Sequence, residues 1–244
     1  MILKKAQEIV SFFVSLCIKR TIKMALILNI ETATKNCSVA LSKEGKTLAI
    51  REMAEQNFSH AEKLHVFIEE LLAETNVTLQ EVKAIAVSQG PGSYTGLRIG
   101  VSAAKGLCYA LSIPLLAVDT LEILARKIQI SSGIIIPMID ARRLEVYSAF
   151  FDSNFTKIRE TEAEIIDENS YQEQTETLHL IGDGAMKFKE ILKGGKFQYY
   201  PEIQYPSAAE MGVISFQKFQ NNQFEDVAYF EPYYLKDFVL NTKK

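Results

Sequence analysis

The stretch VSQGPGSYTG, residues 87–96, carries the densest structural signal in the sequence. An apolar run with strand character, residues 82–88, leads into it, and a helix-like segment continues from it to residue 111. A glycine-rich loop between a strand and a helix N-terminus suits anions, because free backbone N–H groups and the helix dipole converge there. The stretch predicts an α/β fold and a loop of the phosphate-binding kind.

The two common nucleotide-binding loops do not fit this stretch. The dinucleotide fingerprint G-x-G-x-x-G belongs in a βαβ unit, whereas here the last glycine comes one residue late and the chain begins with hairpins. A P-loop is excluded because Gly96 is followed by Leu97 and Arg98. The Gly-Lys-Thr at residues 45–47 falls in a predicted hairpin turn.

The segment before the loop predicts a meander of strands and a helix. Residues 25–30, 37–42 and 47–52 are strand-like, and residues 43–45 supply turn chemistry. Ser59 and Glu62 form a capping box for a helix that runs through residue 74. Its apolar stripe consists of Leu64, Phe67, Ile68, Leu71 and Leu72.

A second set of elements follows the glycine-rich loop and its helix. Residues 115–118 are strand-like after Pro114, and a helical stretch covers residues 207–219. Between them lie three strand-like runs, residues 134–139, 146–151 and 177–181. The sequence therefore predicts two mixed α/β lobes.

Composition limits the possible partners and the compartment. The chain has 244 residues, 48% hydrophobic content and a net charge of −3, so a direct, strong RNA contact is not expected. The odd cysteine count, without a C-x-x-C pair, fits a reducing compartment, and we interpret Cys17, Cys37 and Cys108 as buried thiols.

The first 23 residues resemble the start of a signal peptide, with Lys4 and Lys5 before an apolar stretch at residues 9–18. That stretch is shorter than the roughly 20 apolar residues that span a bilayer. Because a strand pattern opens after Met24, we interpret residues 1–23 as an extension from an upstream start codon.

Two local patterns suggest chemistry but have a structural alternative. Ser102 and Lys105 match the serine-acylating S-x-x-K pattern, yet the glycines and alanines around them favour a closely packed helix. His60 and His65 lie five residues apart, about 140° around a helix, so that pair alone does not predict a metal site.

Five segments together resemble the TsaB (YeaZ) family. They are residues 30–41, the GPGSYTGLRIG at residues 90–100, the IDARRLEVY at 139–147, the IGDGA at 181–185 and the PYYLK at 232–236, which resembles a closing strand. The resemblance runs from Met24 to about Lys236.

The resemblance implies the two-lobed fold of the actin-like ATPase (RNase H-like) superfamily. Each lobe would be a mixed sheet with flanking helices, and a final helix would cross back to the first lobe. The first lobe would comprise residues 24–123, with 207–236 returning to it, and the second lobe residues 124–206.

The resemblance also implies a function in the cytoplasm, without a membrane. The family's partner TsaD transfers a threonylcarbamoyl group to adenosine 37 of tRNAs that read ANN codons, and this chain would be its non-catalytic, activating subunit. TsaE would bind through that heterodimer, tRNA only indirectly, and the chain alone would homodimerise. No intrinsic cofactor is implied, and weak ATP or ADP binding at a shared interface stays open.

Loss of ligands supports the interpretation as a pseudoenzyme. TsaD carries an H-x-x-x-H metal motif, and counting along this chain puts those positions at Thr120 and Leu124. Where the superfamily has D-x-G-T, Glu31 replaces the aspartate and Ala33 adds a Cβ close to the expected phosphate. The degenerate phosphate or nucleotide loops would comprise Glu31, Thr32, Thr34, Gly92, Ser93, Gly182, Asp183 and Gly184.

The partner interface is hypothesised on two first-lobe helices. Its residues would be Leu64, Phe67, Ile68, Leu71, Gly100, Ala103, Ala104 and Leu107. In the alternative interpretation these side chains cover the first-lobe sheet, since every amphipathic helix buries its stripe. For residues 182–184 the alternative is a strand-ending turn, and for Asp140, Arg142 and Arg143 it is solvated charge. An active ATPase, a metallopeptidase-like enzyme and a dinucleotide-binding enzyme are the competing functions.

Overall fold

The computed structural model describes residues 25–54 and 60–236, and the interpretations of residues 1–23, Cys17 and the Ser59 cap lie outside them. The described residues form two five-stranded sheets, each flanked by helices. This architecture confirms the prediction of two mixed α/β lobes. No helix within these two ranges is long and apolar enough to cross a membrane.

The first sheet has the strand order β3-β2-β1-β4-β5. Its strands are β1 (Leu26–Glu31), β2 (Asn36–Lys43), β3 (Lys46–Ala54), β4 (Val82–Gly90) and β5 (Leu115–Asp119). β1, β2 and β3 pair antiparallel as the predicted meander, whereas β4 and β5 add in parallel. Glu44 and Gly45 both have positive φ, 54° and 80°, as the tight β2–β3 turn requires.

Two helices cover one face of the first sheet, and a third packs on the other. The covering helices are α1 (His60–Thr75) and α2 (Tyr94–Leu111), whose buried side chains join the core of this sheet. The predicted helix at 207–219 is divided into a 3-10 turn, Ala208–Glu210, and α4, Met211–Gln220. α4 packs against Ile27, Ala84 and Leu116 of the first sheet.

The second sheet has the strand order β10-β9-β6-β7-β8. Its strands are β6 (Ile134–Asp140), β7 (Glu145–Phe151), β8 (Lys157–Ile165), β9 (Leu178–Ile181) and β10 (Phe197–Tyr199). A short helix, α3 (Thr120–Ala125), joins the two sheets, and 3-10 turns occupy Leu79–Glu81 and Ala185–Phe188.

Three features differ from the sequence-based expectation. β8 and β10 were not predicted, because β8 (KIRETEAEI) is a polar edge strand and β10 has only three residues. The helix α3 was also missed, since its six residues are too short to show a helical period.

The prediction of a closing strand at residues 232–236 is wrong. The segment has no strand assignment, and among the described residues its backbone makes one backbone hydrogen bond, from the N–H of Tyr233 to the carbonyl of Gln89 over 2.7 Å. The proline at 232 lacks a donor, which disfavours a regular ladder at this position.

Candidate functional site

The glycine-rich loop after β4 lies against the loop that follows β1. β1 and β4 are parallel neighbours, so their carboxyl ends meet at one edge of the sheet. The N–H of Ser93 donates to the carbonyl of Ala33 over 2.6 Å. A Cβ placed on Gly92 would lie 2.3 Å from that same carbonyl oxygen. The chain's own backbone therefore occupies the space in front of this helix N-terminus.

The first turns of α2 contact the same loop through two more glycines. A Cβ on Gly96 would lie 2.1 Å from the carbonyl oxygen of Thr32, and one on Gly100 would lie 2.2 Å from Thr32 Oγ1. The Thr32 hydroxyl donates to the carbonyl of Gly96 over 2.8 Å. Gly92 lies just before α2, and Gly96 and Gly100 follow it at four-residue intervals on the helix, so close packing on residues 32–33 explains all three.

Three backbone donors around the start of α2, those of Ser93, Gly96 and Leu97, have partners within the chain. Ser93 caps the helix, since its Oγ accepts from the N–H of Gly96 over 3.3 Å. The N–H of Leu97 donates to the carbonyl of Ser93 over 2.9 Å. An anion at this site would have to displace these bonds and the Ala33 carbonyl.

Glu31 ends β1 and is fully buried. Its Oε1 accepts from the N–H of Ala33 over 2.6 Å, whereas Oε2 has no hydrogen-bond partner among the described residues. Burial raises the pKa of Glu31 to about 8, and the Ala33 N–H, which favours the charged form, opposes this only in part. Glu31 is therefore mainly protonated at neutral pH and acts as a neutral polar group within the fold.

Thr120 and Leu124 lie on α3 between the two sheets. Thr120 is buried, and its Oγ1 accepts from the N–H of Gly90 over 3.0 Å. Leu124 is buried in an apolar cluster with Ile135 and Ile181 of the second sheet. Its Cδ2 lies 2.9 Å from a Cβ built on Gly182. Both side chains serve packing between the sheets.

The segment Gly182–Asp183–Gly184 forms the turn after β9. Gly182 has a φ of 102°, and a Cβ there would lie 2.2 Å from the carbonyl oxygen of Met138. The N–H of Gly184 donates to the same carbonyl over 3.0 Å. Both glycines are thus used in packing β9 against β6, as the strand-ending alternative predicts.

Asp183 is the one polar side chain of this turn. Its Oδ1 accepts from the N–H of Asp140 over 3.0 Å. Burial raises the pKa of Asp183, and the carboxylate of Asp140 adds to that rise. The Asp140 N–H and the ammonium groups of Lys35 and Lys187 oppose it.

The hypothesised interface residues are largely covered by the chain itself. Leu64, Phe67, Ile68 and Leu71 of α1 belong to the core of the first sheet. On α2, Gly100 and Ala104 are buried, and Ala103 and Leu107 are partly buried against the same core. An interface on these helices would therefore use their outer faces, and the interface itself stays a prediction.

The structure accounts for the remaining candidate groups. Lys105 does not lie ready to activate Ser102, because its ammonium donates to the carbonyls of Ala228 and Phe230 over 3.1 and 2.9 Å. Cys37 and Cys108 are buried free thiols, as predicted. Within residues 25–54 and 60–236, no cluster of three or more His, Cys, Asp or Glu could hold a metal ion.

Comparison with known proteins agrees with this geometry. A family model for TsaD, tRNA N6-adenosine threonylcarbamoyltransferase, matches residues 52–242. The tRNA threonylcarbamoyladenosine biosynthesis protein TsaB of Escherichia coli K12 is 32% identical over 223 residues, covering 87% of this chain and 95% of the relative. The chain belongs to the TsaB family.

Two further relatives place this TsaB-family chain within its wider family. YeaZ from Pseudomonas aeruginosa has a solved structure with a TM-score of 0.76 and 26% identity, covering 87% of this chain and all of that one. The tRNA N6-adenosine threonylcarbamoyltransferase of Bacillus thuringiensis is 29% identical over 205 residues, covering 76% of this chain but 58% of the relative. The two sheets with their flanking helices thus have the predicted actin-like ATPase fold.

Two contacts that join distant parts of the fold could not be predicted from the sequence. Asp119 caps α3 and also pairs with Lys157 of β8 over 2.6 Å, which links the two sheets. Lys105 holds the C-terminal segment through two carbonyls. Both contacts join residues far apart in the chain, so periodicity and local motifs do not contain them.

Proposed function

We propose that this TsaB-family chain takes part in tRNA threonylcarbamoyladenosine biosynthesis as a non-catalytic partner that binds and activates TsaD. The names of its relatives support the biosynthetic role. The observation that carries the non-catalytic part is the filled phosphate loop. The carbonyl of Ala33 accepts a hydrogen bond from the N–H of Ser93. Ala33 lies against Gly92, and Thr32 lies against Gly96 and Gly100.

The second support comes from α3. The family resemblance implies that Thr120 and Leu124 stand where TsaD has metal ligands. Thr120 accepts from the N–H of Gly90, and Leu124 belongs to an apolar cluster between the sheets. Neither a hydroxyl engaged in this way nor an alkyl side chain replaces an imidazole ligand. The fold of an enzyme is retained while its site is used for internal packing.

The partner surface is proposed on the outer face of α2. Ser102, Gly106 and Tyr109 are exposed there, and Ala103 and Leu107 are half-buried beside them. Small residues at the centre of an exposed helix face allow another helix to approach closely.

TsaE is proposed to bind through the TsaB–TsaD heterodimer, with tRNA bound only indirectly. We also propose that the chain homodimerises when it is alone, that ATP or ADP binds weakly at a shared interface, and that the protein is cytoplasmic.

The lobe boundaries are part of the same proposal. The first lobe would comprise residues 24–123, and the second residues 124–206. Residues 207–236 would return to the first lobe, which agrees with the packing of α4 on Ile27, Ala84 and Leu116.

A reconstituted transfer assay tests the role. Threonylcarbamoyl transfer to tRNA is measured with the adenylate-forming synthase, TsaD and TsaE, with this chain present, omitted, or supplied without TsaD. Activity should require both this chain and TsaD. Activity without TsaD would make the chain an enzyme, and indifference to its omission would contradict the assignment.

A matched pair of variants tests the surface. Gly106 and Gly195 are both exposed, and a Cβ at either position would meet nothing within 4 Å. Gly106→Arg should abolish co-purification with TsaD, because the long side chain prevents close helix approach. Gly195→Arg, on the second sheet's side of the molecule, should bind TsaD as the unmodified chain does. Equal binding by both variants would exclude the outer face of α2.

A further inference from the structure

The C-terminal segment, residues 225–236, runs from the first sheet to the second. It begins beside β5, where the N–H of Glu225 donates to the carbonyl of Leu115 over 2.9 Å. It continues along α2, with Val227 and Phe230 packed against the first core. It reaches β7 at its far end, where the ammonium of Lys236 pairs with the carboxylate of Glu145.

The middle of this segment is fixed on α2 by Lys105. The ammonium donates to the carbonyls of Ala228 and Phe230 over 3.1 and 2.9 Å. A compact turn presents those carbonyls, because Asp226 Oδ1 accepts from the N–H groups of Ala228 and Tyr229 over 2.8 and 3.2 Å. A cation on two carbonyls is a charge-assisted contact, stronger than an ordinary hydrogen bond.

The segment then lies directly on the glycine-rich loop. The N–H of Tyr233 donates to the carbonyl of Gln89 over 2.7 Å. Gly90 has a φ of 114°, and a Cβ there would lie 2.6 Å from the carbonyl oxygen of Tyr233. The ring of Tyr234 contacts that of Tyr94, with 5.0 Å between centroids.

We propose that residues 225–236 act as a strap that fixes the relative position of the two sheets. The strap is held by main-chain and side-chain bonds on the first sheet, on α2 and on the glycine-rich loop, and its last contact, Lys236 with Glu145, is on the second sheet. Two sheets connected by α3, by the Lys157–Asp119 pair and by the chain between β10 and the 3-10 turn at Ala208 could otherwise change their angle by hinge motion. The strap does not depend on the proposed function, since all of its contacts lie within this chain.

A charge-swap experiment on the full chain tests the strap. Lys236→Glu and Glu145→Lys each break the ion pair, and the double variant restores it with opposite polarity. Amide hydrogen exchange at Tyr233 should become about fivefold faster in each single variant and return in the double variant, as expected for a partly exposed ion pair. Lys189→Glu, at an exposed lysine that follows the 3-10 turn Ala185–Phe188, makes the same charge change as Lys236→Glu and should leave this rate unaltered.

The angle between the sheets is measured in the same variants. Spin labels at the exposed positions Lys83 and Glu173, with Cys17 changed to Ser, report the distance between the two sheets. The distribution of distances between the two labels should be narrow in the unmodified protein and in the double variant, and broader in both single variants. Unchanged distributions and unchanged Tyr233 exchange in the single variants would overturn the proposal, as would a double variant that fails to restore them.

Discussion

Three glycines of α2, Gly96, Gly100 and Gly106, show how a single residue type can be misread from sequence. Small residues on a helix predict either a partner helix or a close contact within the chain. Here Thr32 lies against Gly96 and Gly100. Gly106 lies on another face of the helix, where an added Cβ would meet nothing within 4 Å. The internal contact accounts for the first two glycines, and only the third is free for a partner.

Alanine substitutions along α2 should separate these roles. Gly96→Ala and Gly100→Ala should each lower the free energy of unfolding by about 1–3 kcal/mol, because the added methyl group clashes with Thr32. Gly106→Ala should raise it by roughly 0.5–1 kcal/mol, since alanine favours the helix. Urea denaturation measures all three values. Stable Gly96→Ala and Gly100→Ala variants would show that the β1–β2 loop moves away easily.

Glu31 should make stability depend on pH. Its pKa is about 8 in the folded chain, against an ordinary value of 4.5. Between these values the folded state binds more protons than the unfolded state. The free energy of unfolding should therefore fall as pH rises through this window, by up to about 1.4 kcal/mol per pH unit. Below pH 4.5 and above pH 8 this contribution should be constant.

The Glu31→Gln variant tests this origin. The amide has nearly the same shape as the carboxylic acid but does not titrate, so the slope between pH 4.5 and 8 should largely disappear. Chemical denaturation at several pH values gives the slope in both proteins. If the variant kept the same slope, another group would be responsible.

The β6–β7 hairpin is the element with an unexpected backbone. Its turn places Arg142 and Arg143 at φ values of 74° and 53°, a region that favours glycine and asparagine. Both arginines are exposed, and the N–H of Ala141 closes the turn on the carbonyl of Glu145 over 3.1 Å. Turn preference therefore does not explain two arginines at these positions.

Replacing the two arginines with Asn and Gly should distinguish an effect on the stability of the fold from an effect on partner binding. Arg142→Asn with Arg143→Gly should raise the free energy of unfolding by about 1 kcal/mol, because these residues adopt positive φ at lower cost. The transfer assay with TsaD then reports whether the arginine side chains are needed. A stabilised chain with lower transfer activity would favour a partner contact, and a stabilised chain with full activity would favour solvated charge.

At the scale of the whole molecule, the two sheets are held together by contacts distant in sequence. Lys157 of β8 reaches Asp119 at the start of α3 over 2.6 Å, and both side chains are largely covered, with 25% and 16% exposed. Asn36 of β2 donates to the carbonyl of Pro206 over 3.0 Å at the crossover. Both contacts join residues that are far apart in the sequence.

Loss of the Lys157 charge should be measurable in global stability. Lys157→Met keeps the aliphatic chain but leaves Asp119 without its cation, so the free energy of unfolding should fall by about 1–2 kcal/mol. Lys193→Met is the control, because Lys193 is 68% exposed and its pair with Glu190 contributes little. Thermal denaturation compares the two variants. Equal midpoints would show that the Asp119 pair adds nothing to the fold.

Sequence by itself determined the fold class, the meander, α1, α2 and five later strands, β4, β5, β6, β7 and β9. These elements have local signals: strand-like runs in β2 and β3, helical spacing in Leu64 to Leu71, and turn residues at 44–45. The motifs at residues 90–100 and 139–147 were sufficient for the resemblance to the TsaB family, which the comparisons confirmed. Local periodicity and short motifs are properties of neighbouring residues, so they can be read directly from the chain.

Only the tertiary structure decided how the glycine-rich loop is used. Whether Gly100 faces a partner or Thr32, and whether Ser93 offers its N–H to an anion or to Ala33, depends on residues about 60 positions apart. The predicted strand at residues 232–236 was likewise wrong, because Gln89 and Glu145 hold this segment through contacts that are not periodic. Such contacts form when distant segments pack together, and no local pattern records them.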